Sequence, residues 1–176
     1  MTLALKDVFR GLEAARRDGV IDRYAIGGAV AATFYVEPSA TEDVDVFATF
    51  RGQPASGLLT LEPIYRYFVA QGARIEGEHL VIADWPVQFL PATTPLVDQA
   101  LEEALRFEVE GQPVSVFAQE HLAAIALETG RLKDKVRLAQ LLQSATFNRA
   151  RFDDLVNRHH LEDKWSRWTT LLKDET

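Results

Sequence analysis

Two adjacent glycines, Gly27 and Gly28, separate the apolar run Tyr24-Ala25-Ile26 from an Ala-rich stretch, Ala29 to Tyr35. Each glycine inside regular structure costs about 0.5–1 kcal/mol relative to Ala, and a plain turn would rarely need both. The apolar run reads as a strand and the Ala-rich stretch as a helix, which Glu37-Pro38-Ser39 ends. Asp43-Val44-Asp45-Val46-Phe47 then alternates polar and apolar residues at the period of a strand. Strand, Gly-Gly, short helix and strand form the unit on which the rest of the chain must be built.

Around that unit the pattern is regular. Leu5, Val8, Phe9, Leu12 and Ala15 recur at helical spacing from Leu3 to Asp18, with Gly19 as a stop. A loop from Arg51 to Gly57 leads to a predicted helix from Leu61 to Gln71. Short strands follow at Ala73 to Glu76, His79 to Ala83 and Val87 to Leu90, the last two separated by Asp84-Trp85-Pro86. Leu96 to Phe107 reads as a helix, and Glu108-Val109 and Val114 to Phe117 flank a turn. From Gln119 the chain reads as helices only: to Thr129, Leu132 to Gln143, Arg149 to Arg158 behind an Asn148 N-cap, and Leu161 to Leu172. The order predicts an α+β (α/β) protein: a mixed sheet domain flanked by helices over 1–117, and a C-terminal helical bundle over 118–176 packed on it.

Composition narrows the chemistry. The 176 residues contain no Cys, which removes disulfide scaffolds, thiol nucleophiles and Cys-based metal sites. The four His show no metal-ligand helical spacing. Nothing reaches the roughly 18 apolar residues of a membrane span, and the N-terminus lacks a signal-peptide pattern, so a soluble, cytoplasmic domain with no membrane partner is expected. With 19 Lys plus Arg against 26 Asp plus Glu, the charge is −7, which argues against a global field for nucleic acid. Arg131, Lys133, Lys135 and Arg137 nevertheless form a local basic run that could grip a phosphate, or else a solvated helix start in which Asp134 pairs Arg131 or Lys135.

Asp43 and Asp45, two residues apart on a strand, point to one face and repel unless a cation sits between them. Oxygen ligands without His or Cys favour Mg²⁺ or Mn²⁺, which takes substrate phosphates as further ligands. Gly27 and Gly28, at a strand-to-helix junction, would let phosphate approach backbone N–H groups. A phosphate cradle beside a metal-holding dyad suits phosphoryl or nucleotidyl transfer.

This arrangement resembles the nucleotidyltransferase superfamily: Gly-Gly after an apolar residue, a helix, then Asp-x-Asp on the next strand. Within it, the chain looks most like the minimal group around the AbiE-system toxin (AbiEii-like). Trp85-Pro86-Val87-Gln88-Phe89-Leu90-Pro91 is similar to a later sheet strand of that group, and His121-Leu122-Ala123-Ala124 with Gly130-Arg131-Leu132-Lys133-Asp134 to its site-closing helical motif. The resemblance implies a nucleotidyltransferase-like mixed sheet, with Asp43 and Asp45 as catalytic metal ligands. It implies nucleotide binding by Gly27, Gly28, Thr41, Arg131 and Lys133, with Lys133 and Asp134 in the catalytic set, Asp134 orienting the basic pair or contacting the acceptor. The implied activity moves a nucleoside monophosphate from a nucleoside triphosphate to a hydroxyl, with RNA, tRNA in particular, as acceptor in toxin-type relatives and an antitoxin protein as partner.

Three positions depart from the family pattern. Gln88 stands at the third-carboxylate position, Ala124-Ile125-Ala126-Leu127 where toxin-type relatives carry a Lys, and Ser39 where many carry an Arg. They keep two alternatives in view: a weakened member that binds nucleotide or a partner without turnover, and a small-molecule adenylyltransferase of the antibiotic type.

Overall fold

The computed structural model describes residues 3–38, 41–49 and 60–174; the Ser39 position and the 51–57 loop lie outside them. The chain runs α1 (Leu3–Arg17), β1 (Arg23–Ile26), α2 (Gly28–Ala32), β2 (Val44–Thr49), α3 (Glu62–Ala70), β3 (Arg74–Glu76), β4 (His79–Ile82) and β5 (Trp85–Pro91). It continues through α4 (Pro95–Glu102), β6 (Leu105–Val109) and β7 (Gln112–Val116) to four successive helices, α5 (Gln119–Thr129), α6 (Leu132–Leu142), α7 (Arg149–Arg158) and α8 (Glu162–Asp174).

The strands form one mixed sheet in the order β3-β4-β5-β2-β1-β7-β6. β2 lies at its centre, antiparallel to β1 and parallel to β5. Its alternation is the one expected of a strand with a buried face: Val44, Val46 and Ala48 are buried, while Asp45 and Phe47 turn to the other side. Apolar residues of α1 pack on β7, β1 and β5, and Val8, Phe9 and Leu12 are fully buried there. Glu13 ties that helix to the sheet, accepting hydrogen bonds from Tyr24 (2.6 Å) and from both terminal nitrogens of Arg106 (2.7 and 3.2 Å).

Two elements differ from their sequence prediction. The helix expected from Leu96 to Phe107 stops at Glu102, and Leu105–Val109 is instead edge strand β6, paired with β7. Leu101 and Leu105 keep helical spacing, yet Leu105 is exposed and cannot contribute to a buried helical stripe. The turn expected at Asp84-Trp85-Pro86 is the two-residue Ala83-Asp84, both at positive φ, and Trp85 and Pro86 already belong to β5. The Asn148 cap follows expectation, accepting from the Arg151 amide at 3.0 Å, and Gly130 ends α5 in the left-handed conformation.

Helix α5 is buried on nearly every side, touching α2, α4, α6, α7 and α8. Its first turn is polar: Gln119 donates to the Thr146 carbonyl at 2.6 Å while its buried Oε1 has no partner, and Glu120 accepts from the Asn148 amide at 2.9 Å. Trp165 and Trp168 of α8 stack at 5.3 Å, with Phe152 of α7 edge-on to Trp165. No described helix is long and apolar enough to cross a membrane.

His121, on the same helix, is fully buried with neither ring nitrogen hydrogen-bonded. Burial, reinforced by Arg151, pushes its pKa down to about 4 from 6.5. The unfolded chain therefore binds a proton between these values that the folded chain refuses, so stability falls as pH drops through that window. We predict that urea midpoints fall between pH 6.5 and 4 and that His121→Leu flattens this slope. An unchanged slope in the variant would place the acid sensitivity elsewhere.

Candidate active site

The site begins where β1 turns into α2. The Gly27 amide donates to the Asp45 carbonyl at 2.9 Å, which clamps the junction to β2. A methyl group at Gly28, whose φ is +59°, would stand 1.8 Å from Asp45 Oδ2. One at Gly27 would stand 2.4 Å from the Phe47 ring. Both glycines thus clear space for consecutive outward side chains of β2, a cause more immediate than the approach of a phosphate. Gly-Gly and Asp-x-Asp are two halves of one steric fit.

Asp43 lies at the mouth, just before β2 begins, its side chain about one-third exposed. Thr41 lines the same cavity but turns its hydroxyl to the Asp43 carbonyl at 2.9 Å, shaping the approach to the strand. Asp45 sits deeper. Burial, then the neighbouring Asp43 charge, raises its carboxyl pKa, against the pull of Arg137, Lys133 and Arg131. Gln88 of β5 pairs in register with Asp45, so the neighbouring strand brings an amide to this row. His79 of β4, which sequence spacing gave no reason to select, reaches Asp43 with Nε2 3.7 Å from Oδ2.

Helix α6 supplies the opposite wall of a cavity of about 580 Å³. Lys133 and Arg137, one turn apart, line it opposite Asp43 and Asp45, and Leu132, Val136 and Gln140 form a neighbouring stripe. Arg131 occupies the N-cap position of α6, more than half exposed. Asp134 is not a cavity-lining group. Its buried carboxylate accepts from Arg131 Nε at 2.7 Å and Arg137 Nη1 at 3.2 Å. The expected partnership of Asp134 with Arg131 and Lys133 is therefore corrected: Arg137 takes the second place, and Lys133 is left to the cavity. Hydrogen bonding to Asp134 raises the Arg131 pKa, with Asp45 and Asp43 adding to it. Ala126, where a Lys was sought, is buried in α5.

The donor set fits Mg²⁺ or Mn²⁺. Asp43, just before β2 rather than on the strand as expected, and Asp45 bring two hard carboxylates to one cavity, and the surroundings of the deeper one disfavour its charge, which a cation would stabilise. Among the described residues no third His, Asp or Glu converges with them into a ready-made metal cluster. Water and ligand phosphates would complete the shell.

No protein-family model matches the chain, and no curated protein matches it by sequence. Solved structures do match. An antigenic nucleotidyltransferase-like protein from Paracoccidioides brasiliensis aligns at 16% identity over 78% of this chain and 73% of its own, with a TM-score of 0.57. ANT(2″)-Ia bound to adenylyl-2″-tobramycin aligns at 15% identity over 93% of this chain and 98% of its own, TM-score 0.56. The solution structure of that antibiotic-resistance factor gives 16%, 99% and 98%, also at 0.56. The chain has a nucleotidyltransferase-like fold.

Two outcomes follow from the site. Because Asp45 is raised in the fold, the folded state disfavours its charged form at neutral pH. Metal-free Asp45→Asn should therefore unfold at higher temperature than the parent at pH 7, and the advantage should vanish once acid protonates the parent carboxyl. Gly28→Ala should cost about 1–3 kcal/mol from crowding and left-handed strain. That cost should shrink in an Asp45→Ala background, as a double-mutant cycle in urea would measure.

Proposed function

We propose that this chain is a Mg²⁺- or Mn²⁺-dependent nucleotidyltransferase that moves a nucleoside monophosphate from a nucleoside triphosphate to a hydroxyl, releasing pyrophosphate. One observation carries it: Asp45, fixed against Gly28, and Asp43 line a single cavity with Lys133 and Arg137. Asp43 and Asp45 would hold the cation, which when bound offsets their charge and polarises substrate phosphate oxygens. Lys133 and Arg137 would take the remaining phosphate charge, while Arg131 and Asp134 keep Arg137 in place. The fold shared with ANT(2″)-Ia over nearly the full length of both chains supports this chemistry.

For the acceptor, the cations favour an anion, RNA or tRNA, in line with the AbiE-type resemblance. Lys133 and Lys135 form no ion pair among the described residues. Lys164 and Arg167, which line a neighbouring cleft with Lys135, donate to the backbone carbonyls of Glu128 and Asp163. The net charge of −7 suits a cationic drug such as the aminoglycoside of the ANT(2″)-Ia complex, so the case for an anion rests on this local cluster alone. A second reading, nucleotide binding without turnover, draws on Gln88, whose amide beside Asp45 cannot take a proton from an attacking hydroxyl.

The test incubates the protein with Mg²⁺ and each α-labelled nucleoside triphosphate, offering total RNA or tobramycin as acceptor. Label should reach RNA with the parent, disappear with Asp43→Asn/Asp45→Asn, and weaken steeply as salt rises. Label on tobramycin alone would move the acceptor to the small-molecule class. Metal-dependent nucleotide binding with no label on either would favour the binding module.

A further inference from the structure

Helix α6 carries two large apolar side chains in open view. Leu132 is 80% exposed and Val136 is 55% exposed. Among the described residues the other exposed large aliphatics, Val69, Ile75 and Leu105, are scattered over α3, β3 and β6 and need no explanation. Leu132 and Val136 differ because they sit one turn apart on one helix and both line the cavity that holds Asp43 and Asp45.

The helix period sets out what they offer. Residues 132, 136 and 140 make one stripe along α6, and 133 and 137 make the next. At about 1.5 Å of rise per residue, the first stripe spans about 12 Å. It is apolar for its first two positions and ends in the exposed, unbonded amide of Gln140, while the second stripe is cationic. The cavity is thus divided lengthwise into a charged track and an apolar ledge closed by a hydrogen-bonding group. A nucleotide is divided in the same way, into anionic phosphates and a flat base with a polar edge.

Resting on the nucleotidyl-transfer proposal above, we propose that Leu132 and Val136 are the seat of the nucleobase, with Gln140 contacting its edge. Phosphates on Lys133 and Arg137 bring the base over the adjacent stripe, and the base covers the two aliphatic side chains that water otherwise meets. The Gln140 amide, donor and acceptor together, gives the ledge a means of distinguishing bases.

The experiment is calorimetric titration, in Mg²⁺, of ATP, GTP, CTP, UTP and inorganic tripolyphosphate into the parent, Leu132→Ser/Val136→Ser and Gln140→Ala. Both changes of the double variant lie on exposed positions, and tripolyphosphate, which has the charge but no base, reports whether the phosphate track survives. The double variant should bind its best nucleotide about tenfold more weakly, as lost apolar burial of this size implies, and keep its affinity for tripolyphosphate. Gln140→Ala should compress the spread among the four nucleotides. Equal nucleotide affinity in parent and double variant, or an equal loss for tripolyphosphate, overturns the ledge and leaves nucleotide transfer standing. A parent that binds neither nucleotide nor tripolyphosphate overturns both.

Discussion

The contact between Asp45 and Gly28 is the constraint from which the site follows. The carboxylate occupies the volume that any side chain at position 28 would need, and Phe47 does the same at position 27. β2 can therefore lie against the β1–α2 junction only if both glycines are present. The amide of Gly27 then fixes the register by bonding to the backbone of Asp45 itself. Burying a carboxylate in this way opposes stability in the absence of a cation. The fold accommodates it at the centre of a seven-stranded sheet, where flanking strands and the apolar opposite face of β2 hold the strand in place.

The second wall is positioned by different means. Gly130 ends α5 and lets α6 depart in a new direction, and α5 itself is held by the helices around it. Side chains on α6 can therefore be exposed without being loose. Arg137 is fixed by Asp134, and Lys133 sits one turn before it on a helix anchored by the buried Leu138 and Leu141. The site thus joins a strand-borne anionic wall to a helix-borne cationic one.

How much of this could be read from sequence depends on the range of the interaction. The places of Gly27 and Gly28 at the β1–α2 junction and of Asp45 on β2 were legible because strand period and glycine cost are local properties, as was the Asn148 cap, whereas Asp43, read onto the strand, falls just before it. Strand β6 was not: Leu101 and Leu105 satisfy helical spacing, and only pairing with β7 decides otherwise. Arg137 lay in plain sight within the basic run, yet its selection by Asp134 over Lys133 depends on side-chain direction around the helix. The approach of His79 to Asp43 was illegible because β5 lies between β4 and the β2 strand that Asp43 precedes, and sheet order is a tertiary outcome. The reason for Gly-Gly was likewise only half visible, since the residues that need the space are contributed by another strand.

Asp134 has a further consequence. One buried carboxylate is shared by two guanidiniums, so the cluster carries an excess of one positive charge, and the neighbouring Lys133 adds another. In a chain of net charge −7 this makes the α6 rim a small ion exchanger on an otherwise cation-attracting body. Small buffer anions, together with Asp43 and Asp45 nearby, can balance that local excess. Any larger anion that settles there arrives by exchange, and its apparent affinity is a difference between two occupants whose reference state is set by the buffer.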